Sequence, residues 1–139
     1  MPSEYHNLQP FRLPQERESA RSAQVVPVEI PSDAFDNLAA NGVRMIFVLL
    51  PGGGLVAAPR QQRGEHISHP VLANGGTVLA AGEFQTDFDG SAIVVSELDN
   101  MSGHYQPSSA TLALARTAFE AAGINVRPDG VRPYDWEAP

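Results

Sequence analysis

The chain contains no cysteine and no lysine. Without thiols there is no disulfide scaffold, no thiolate metal site and no cysteine nucleophile. A zinc deaminase is excluded too, because its metal needs cysteine ligands. All nine basic residues are arginine, which alongside abundant Ala, Gly and Pro points to a GC-rich coding sequence rather than a binding specialisation. Long apolar runs are also missing. The longest, Met45 to Leu50, is far too short to cross a bilayer. Met1 to His6 carries no basic region followed by an apolar stretch, so no secretory signal is read and a cytoplasmic location is expected. The formal charge of −7 argues against nucleic acid, whose phosphates require basic residues clustered on one face. It argues equally against anionic membrane surfaces. A small molecule or a partner protein is the expected partner.

What is present suffices for one domain with one core: 139 residues, of which 42% are hydrophobic. Charged residues make up only 18%, and Gly and Pro stand at 12 each, so many turns are expected. Residues 1–23 read as an N-terminal arm. Pro2, Pro10 and Pro14 interrupt any regular element there, and the polar stretch from Gln15 reads as a flexible tail or, alternatively, a short helix over Gln15–Ser22. Residues 24–139 form the domain.

Within it, Gln24 to Ile30 is rich in β-branched residues, but Pro27 demotes it to an edge strand or bulge. Ser32 is placed to cap a short helix containing Phe35, Leu38 and Ala39, closed by Asn41-Gly42. Val43 to Leu50 is a strand buried on both faces. Pro51 to Gly54 turns it back into Leu55–Ala58, a hairpin. That glycine run lacks the Lys-Ser/Thr ending and the following helix of a phosphate loop. Arg60 to Gly76 reads as loop. Thr77–Asp87 and Ser91–Leu98 are strands joined at Asp89-Gly90. The last helix carries Leu112, Ala115, Phe119 and Ala122 on one stripe behind a Ser108 or Ser109 cap, and ends at Gly123 with Ile124 placed for a Schellman contact. Asn125 to Arg127 adds a short strand, and the turn-rich tail packs Tyr134 and Trp136 back on the body. The fold class is α+β: a strongly bent antiparallel sheet or partial β-barrel with two helices.

Three of the four histidines, His66, His69 and His104, fall in segments read as loops, where function concentrates. With an acid they could form an imidazole–carboxylate metal site. Pro70 follows His69 at once and no metalloprotease helix signature is present, so no metal and no cofactor is expected. Ser102-Gly103-His104-Tyr105 leads into a helix start that favours anions. A His beside a Tyr can do acid–base work at neutral pH; alternatively, Ser102 and His104 satisfy backbone groups in a structural loop. Glu83 alternates with Phe84 and therefore faces solvent or a cavity, where it would be a candidate base.

Met45-Ile46-Phe47-Val48-Leu49, then His69 with Gly75-Gly76 and Ala81-Gly82, then Ser102-Gly103-His104-Tyr105-Gln106-Pro107, occur in this order in one family. Over about residues 43–126 the chain resembles the conserved domain of plant IQ-motif-containing calmodulin-binding proteins, with related bacterial and fungal domains, some effector- or toxin-like. The resemblance implies that His69, Gly75, Gly76, Gly82, Ser102, Gly103, His104, Tyr105 and Pro107 rim one site. The family has two serines after its first histidine. Pro70 and Val71 stand there in this chain, so any role of those hydroxyls is lost. The IQ motif is absent, so calmodulin is not carried over as a partner.

The first functional expectation is a pocket that binds a small polar or anionic ligand, or a partner's side chain, at His69, His104 and Tyr105. The second is a group-transfer or lyase-type enzyme at the same site, with His104 as general acid/base assisted by Tyr105 or Glu83. The third is an acidic protein-interaction or immunity-like module with structural histidines.

Overall fold

A computed structural model describes residues 2–136. Met1 of the arm and the last three residues of the turn-rich tail lie outside the described residues. The fold is α+β, and its sheet curls into a half-barrel. The strands are β1 (Val28–Ile30), β2 (Met45–Leu49), β3 (Leu55–Pro59), β6 (Ala80–Asp89), β7 (Ala92–Asp99), β8 (Asn125–Val126) and β9 (Val131–Arg132), in the order β1-β3-β2-β6-β7-β8, with β9 also pairing with β7. The four-strand heart is antiparallel as expected. The sheet is mixed because β8 and β9 join β7 in parallel, each returning from the last helix side of the chain. β4 (Gln61–Gln62) and β5 (Glu65–His66) form a separate small hairpin.

The central strand β2 explains why the sheet has two cores. Its side chains alternate between faces, and all five are buried. Met45, Phe47 and Leu49 join the larger core with Phe35, Phe84 and Phe119, while Ile46 and Val48 join a second cluster with Ala20, Ala23, Leu72 and Tyr105. The first face is covered by α2 (Asp33–Ala40) and α4 (Thr111–Ala121). Phe47, Phe84 and Phe119 meet there edge to face, with centroids 5.1–5.9 Å apart, each contact adding about 1 kcal/mol beyond its buried area.

The helix ends follow local chemistry. Ser32 Oγ accepts from the Phe35 N–H at 3.1 Å, the expected cap. At the end of α4, Gly123 takes φ +87, and the Ile124 N–H reaches the Phe119 carbonyl at 2.9 Å, the expected Schellman closure. The start of α4 differs. Its N-cap position is Ala110, and Ser108 acts earlier, accepting from the Ala110 N–H at 3.1 Å.

The second face is covered by the segment read as an arm. Rather than trailing free, residues 13–22 form α1 (Leu13–Ser22), and Ala20 and Ala23 are buried on the sheet. Tyr5 bridges to Val78, and the Leu8 N–H bonds the His104 carbonyl at 2.7 Å. Proline is tolerated here because Pro14 lies in the first turn of the helix, where its missing N–H would have no partner. The 60–76 segment is likewise more than loop: it holds the β4–β5 hairpin and the one-turn α3 (His69–Leu72). Among the described residues no helix is long and apolar enough to cross a membrane.

Candidate functional site

Between α1, the β5–α3 segment and the β7–α4 loop lies a cavity of about 490 Å³, floored by Ile46 and Glu83 of the sheet and edged by Trp136. It is within the range of small-molecule pockets. His66, Ser68, His69, Glu83, Ser102, Gly103 and His104 all line it. His69 and His104, far apart in the chain, therefore face one space.

His69 reaches it from the N-terminus of α3. Pro70 directly after it occupies the first turn, so the His-Pro pair is a helix start, not a broken metal motif. His69 is buried, and its Nε2 stands 2.8 Å from the Gly82 carbonyl oxygen. A carbonyl can only accept, so Nε2 carries the proton and Nδ1 holds a lone pair. Burial lowers the pKa of His69 to about 4, despite the Gly82 bond and the Glu83 charge, and the nearby His104 depresses it further. His69 is thus a neutral imidazole at neutral pH.

Gly82 is where the sheet permits this. A Cβ there would stand 1.9 Å from the Asp99 carbonyl oxygen, so only glycine allows the end of β7 to approach β6 this closely. Asp99 holds the same bend: its Oδ1 accepts from the N–H groups of Glu83 and Met101 at 2.8 and 2.9 Å. Burial raises the pKa of Asp99, and those two N–H groups oppose the rise.

His104 sits on the turn that follows, closed by the Gln106 N–H on the Ser102 carbonyl at 2.7 Å. Its Nε2 is 2.5 Å from Glu16 Oε2 of α1, with the two side chains only 15% and 12% exposed. The carboxylate accepts and the imidazole Nε2–H donates, an arrangement that orients a histidine so that Nδ1 can exchange a proton with a ligand.

Glu83 faces the cavity, as its alternation with Phe84 implies, but it is not a free base. Arg44 Nε and Arg60 Nε hold its two oxygens at 3.1 and 3.2 Å. Tyr105 does not line the cavity. It is buried, its hydroxyl donates to the Gly76 carbonyl at 2.7 Å, and burial pushes its pKa up to about 12. Gly75 and Gly76 also lie off the cavity wall; Gly75 takes φ +80 beneath Leu13 of α1. Pro107 is buried and gives its carbonyl to Asn100 Nδ2 at 2.9 Å. These four support the site from behind. Helix α4 contributes no residue to the lining. Among the described residues no three His, Asp or Glu side chains are grouped to hold a metal ion.

Three buried polar atoms of lining residues have no hydrogen-bond partner: Glu16 Oε1, Ser68 Oγ and Ser102 Oγ. Three contributors to the site escaped sequence reasoning. Glu16 lies in the segment read as a flexible arm, although Leu13, Glu16, Ala20 and Ala23 recur at helical spacing and mark it as inward-facing. Asn100 bonds the Tyr134 carbonyl and N–H through its side chain at 2.8 and 2.7 Å, and its carbonyl accepts from Trp136 Nε1 at 3.0 Å. It thereby brings Trp136 to the cavity edge. Arg60 has no local signal.

No known protein family, curated protein or solved structure matches the chain.

Proposed function

We propose that this protein is a small binding domain whose cavity takes a small polar ligand, or a polar side chain of a partner, between His69 and His104. One observation carries the reading: two histidines from distant segments, one made neutral by burial and the other tethered to Glu16, wall a single cavity. The resemblance to the IQ-motif-containing proteins supports the same residues, His69, Ser102, Gly103 and His104, as the rim. It adds no reaction.

Histidine-ring NMR on the full chain tests this reading. Titration with a set of small polar fragments is expected to give saturable shifts at His69 and His104 together, lost in His104→Ala, with the exposed His6 unmoved. Shifts confined to His6, or none at all, would reject the pocket and leave the acidic surface as the interacting feature.

A second reading, acid–base catalysis, is favoured by the His104–Glu16 pair. A histidine oriented by a carboxylate is the arrangement of a general base. In this reading His104 Nδ1 takes a proton from the bound molecule and Glu16 holds the ring; Tyr105 and Glu83 take no part, the one facing away and the other paired with arginines. Solvent exchange of a labelled C–H of a bound fragment, abolished in His104→Ala but retained in Tyr105→Phe, would support it.

A further inference from the structure

We infer that the cavity takes a small zwitterion, a molecule carrying one carboxylate and one ammonium, a deepening that rests on the binding reading above. The wall holds charges of both signs that no neighbour fully meets. Arg60 supplies the cation. Its Nε stands 3.2 Å from Glu83, a carboxylate on the cavity floor, so the guanidinium lies at the floor as well. Among the described residues its Nη1 and Nη2 have no partner, and the side chain is 47% exposed. Those two nitrogens form the end-on fork of the guanidinium, a geometry that receives both oxygens of a carboxylate. Arg12 of the lining, bonded to Gln9 through Nη1 alone, keeps Nε and Nη2 as a second fork.

Glu65 supplies the anion. It stands directly opposite Gln62 in the β4–β5 hairpin, and directly opposed residues project to the same side of a ladder. The Gln62 amide donates to the Ala23 carbonyl at 2.8 Å, just past the end of α1. Glu65 therefore projects toward α1, across the cavity that it lines, and it is half-buried there. Among the described residues no hydrogen bond or ion pair engages its carboxylate. The other lining carboxylates are spent, Glu83 on Arg44 and Arg60, and Glu16 on His104. Arg60 and Glu65 thus line one space without pairing with each other. A charge withdrawn from water is costly unless paired, and one molecule with a carboxylate and an ammonium meets both. A simple anion would meet a fork alone, against a chain of net charge −7. A simple cation would leave both forks empty.

The test uses four probes of one skeleton on the full chain at neutral pH, followed by histidine-ring NMR. The zwitterions 2-aminobutyrate and 4-aminobutyrate bracket the spacing of the two charges; butyrate and n-butylammonium carry one charge each. At least one zwitterion is expected to shift His69 and His104 saturably and to bind at least about tenfold more tightly than either single charge. Glu65→Gln should weaken that zwitterion about tenfold and leave butyrate unchanged. Arg60→Gln should weaken both. If Arg60→Gln fails to fold, because it also strips a partner from Glu83, Glu65→Gln decides, since it alters an unpartnered side chain. Butyrate or butylammonium binding as tightly as the zwitterions, or undiminished zwitterion binding in Glu65→Gln, overturns the zwitterion and leaves the pocket standing. Silence at both histidines with all four probes while other polar fragments shift them has the same meaning. Silence with every fragment overturns both.

Discussion

Glu16 and His104, 88 positions apart in the chain, share a hydrogen bond of 2.5 Å in a largely buried setting. It ties α1 to the β7–α4 loop across the cavity, so its strength should be measurable as stability. A double-mutant cycle over Glu16→Ala and His104→Ala is expected to return a coupling of about 2 kcal/mol by urea denaturation. A coupling near zero would mean that the helix is held by its other contacts alone.

The low pKa of His69 has a signed consequence. In the folded protein it binds a proton only near pH 4, and in the unfolded chain near 6.5. Between those values the unfolded chain holds more protons, so stability falls as the pH drops through this window, by about 3 kcal/mol in total. Asp99, whose pKa is raised on folding, opposes this loss at its acid end, whereas Asp87, whose pKa is lowered, adds to acid destabilisation only below the ordinary carboxylate range. His69→Leu should therefore flatten the dependence of melting temperature on pH between about 6.5 and 4. An unchanged slope in that variant would place the titrating group elsewhere.

Long-range ¹⁵N spectra of the imidazole rings read the tautomers directly. Both His69 and His104 are expected as Nε2–H at neutral pH, because each Nε2 faces an oxygen acceptor. Finding His69 protonated on Nδ1 instead would contradict the Gly82 bond.

Gly82→Ala should be among the most damaging single-methyl additions in the chain. The new Cβ meets backbone, Asp99 O and C, which no side-chain rotation can clear. A loss of about 3 kcal/mol or more is expected on thermal denaturation, with the largest amide shifts from Asp99 to His104. Gly103→Ala is the contrast: its Cβ meets nothing within 4 Å, so it should change stability little.

Asn100→Leu should release the C-terminal segment. The side chain is 1% exposed and bonds Tyr134 and Pro107 through its amide. The chain has one tryptophan, so a red shift of its fluorescence and a loss of about 3 kcal/mol are expected together. A stability loss without the spectral change would show that the tail is anchored by other means.

Much of the fold is legible because β2, α2, α4 and the β6–β7 hairpin each carry a strong local signal. Five consecutive apolar residues, followed closely by the turn from Pro51 to Gly54, fit a short strand buried on both faces. Ser32 at a helix start and Gly123 at a helix end name their own caps. The site was half legible. Glycines and histidines in irregular segments drew attention to His69, Glu83, Ser102 and His104, and the structure gathers these four. It separates Tyr105, since a residue one step from His104 in the turn points to the opposite side, into the Gly76 carbonyl. Glu16 was hidden because its helix buries only small residues. Ala20 and Ala23 do not raise a polar stretch above the profile of a tail, and the bond to His104 is a tertiary fact with no local trace. Asn100 was hidden for a related reason: its partners, Pro107 and Tyr134, are set by where the tail returns.

The contrast between the two sides of the cavity bears on when it exists at all. One side is the sheet, whose Ile46 and Glu83 sit on the most deeply packed strands. The other is α1, whose one fully buried helical residue is Ala20, a methyl's worth of apolar grip. Local opening costs only what the local contacts supply, so amide exchange in residues 13–22 is expected to be faster than in β2. The cavity then has a hard wall and a soft one. Were the helix to detach, Glu16 would leave His104 and the recess would be an open shelf. If the proposed ligand binds between the two walls, it is expected to slow amide exchange in residues 13–22, and weakening the helix should lower its apparent affinity.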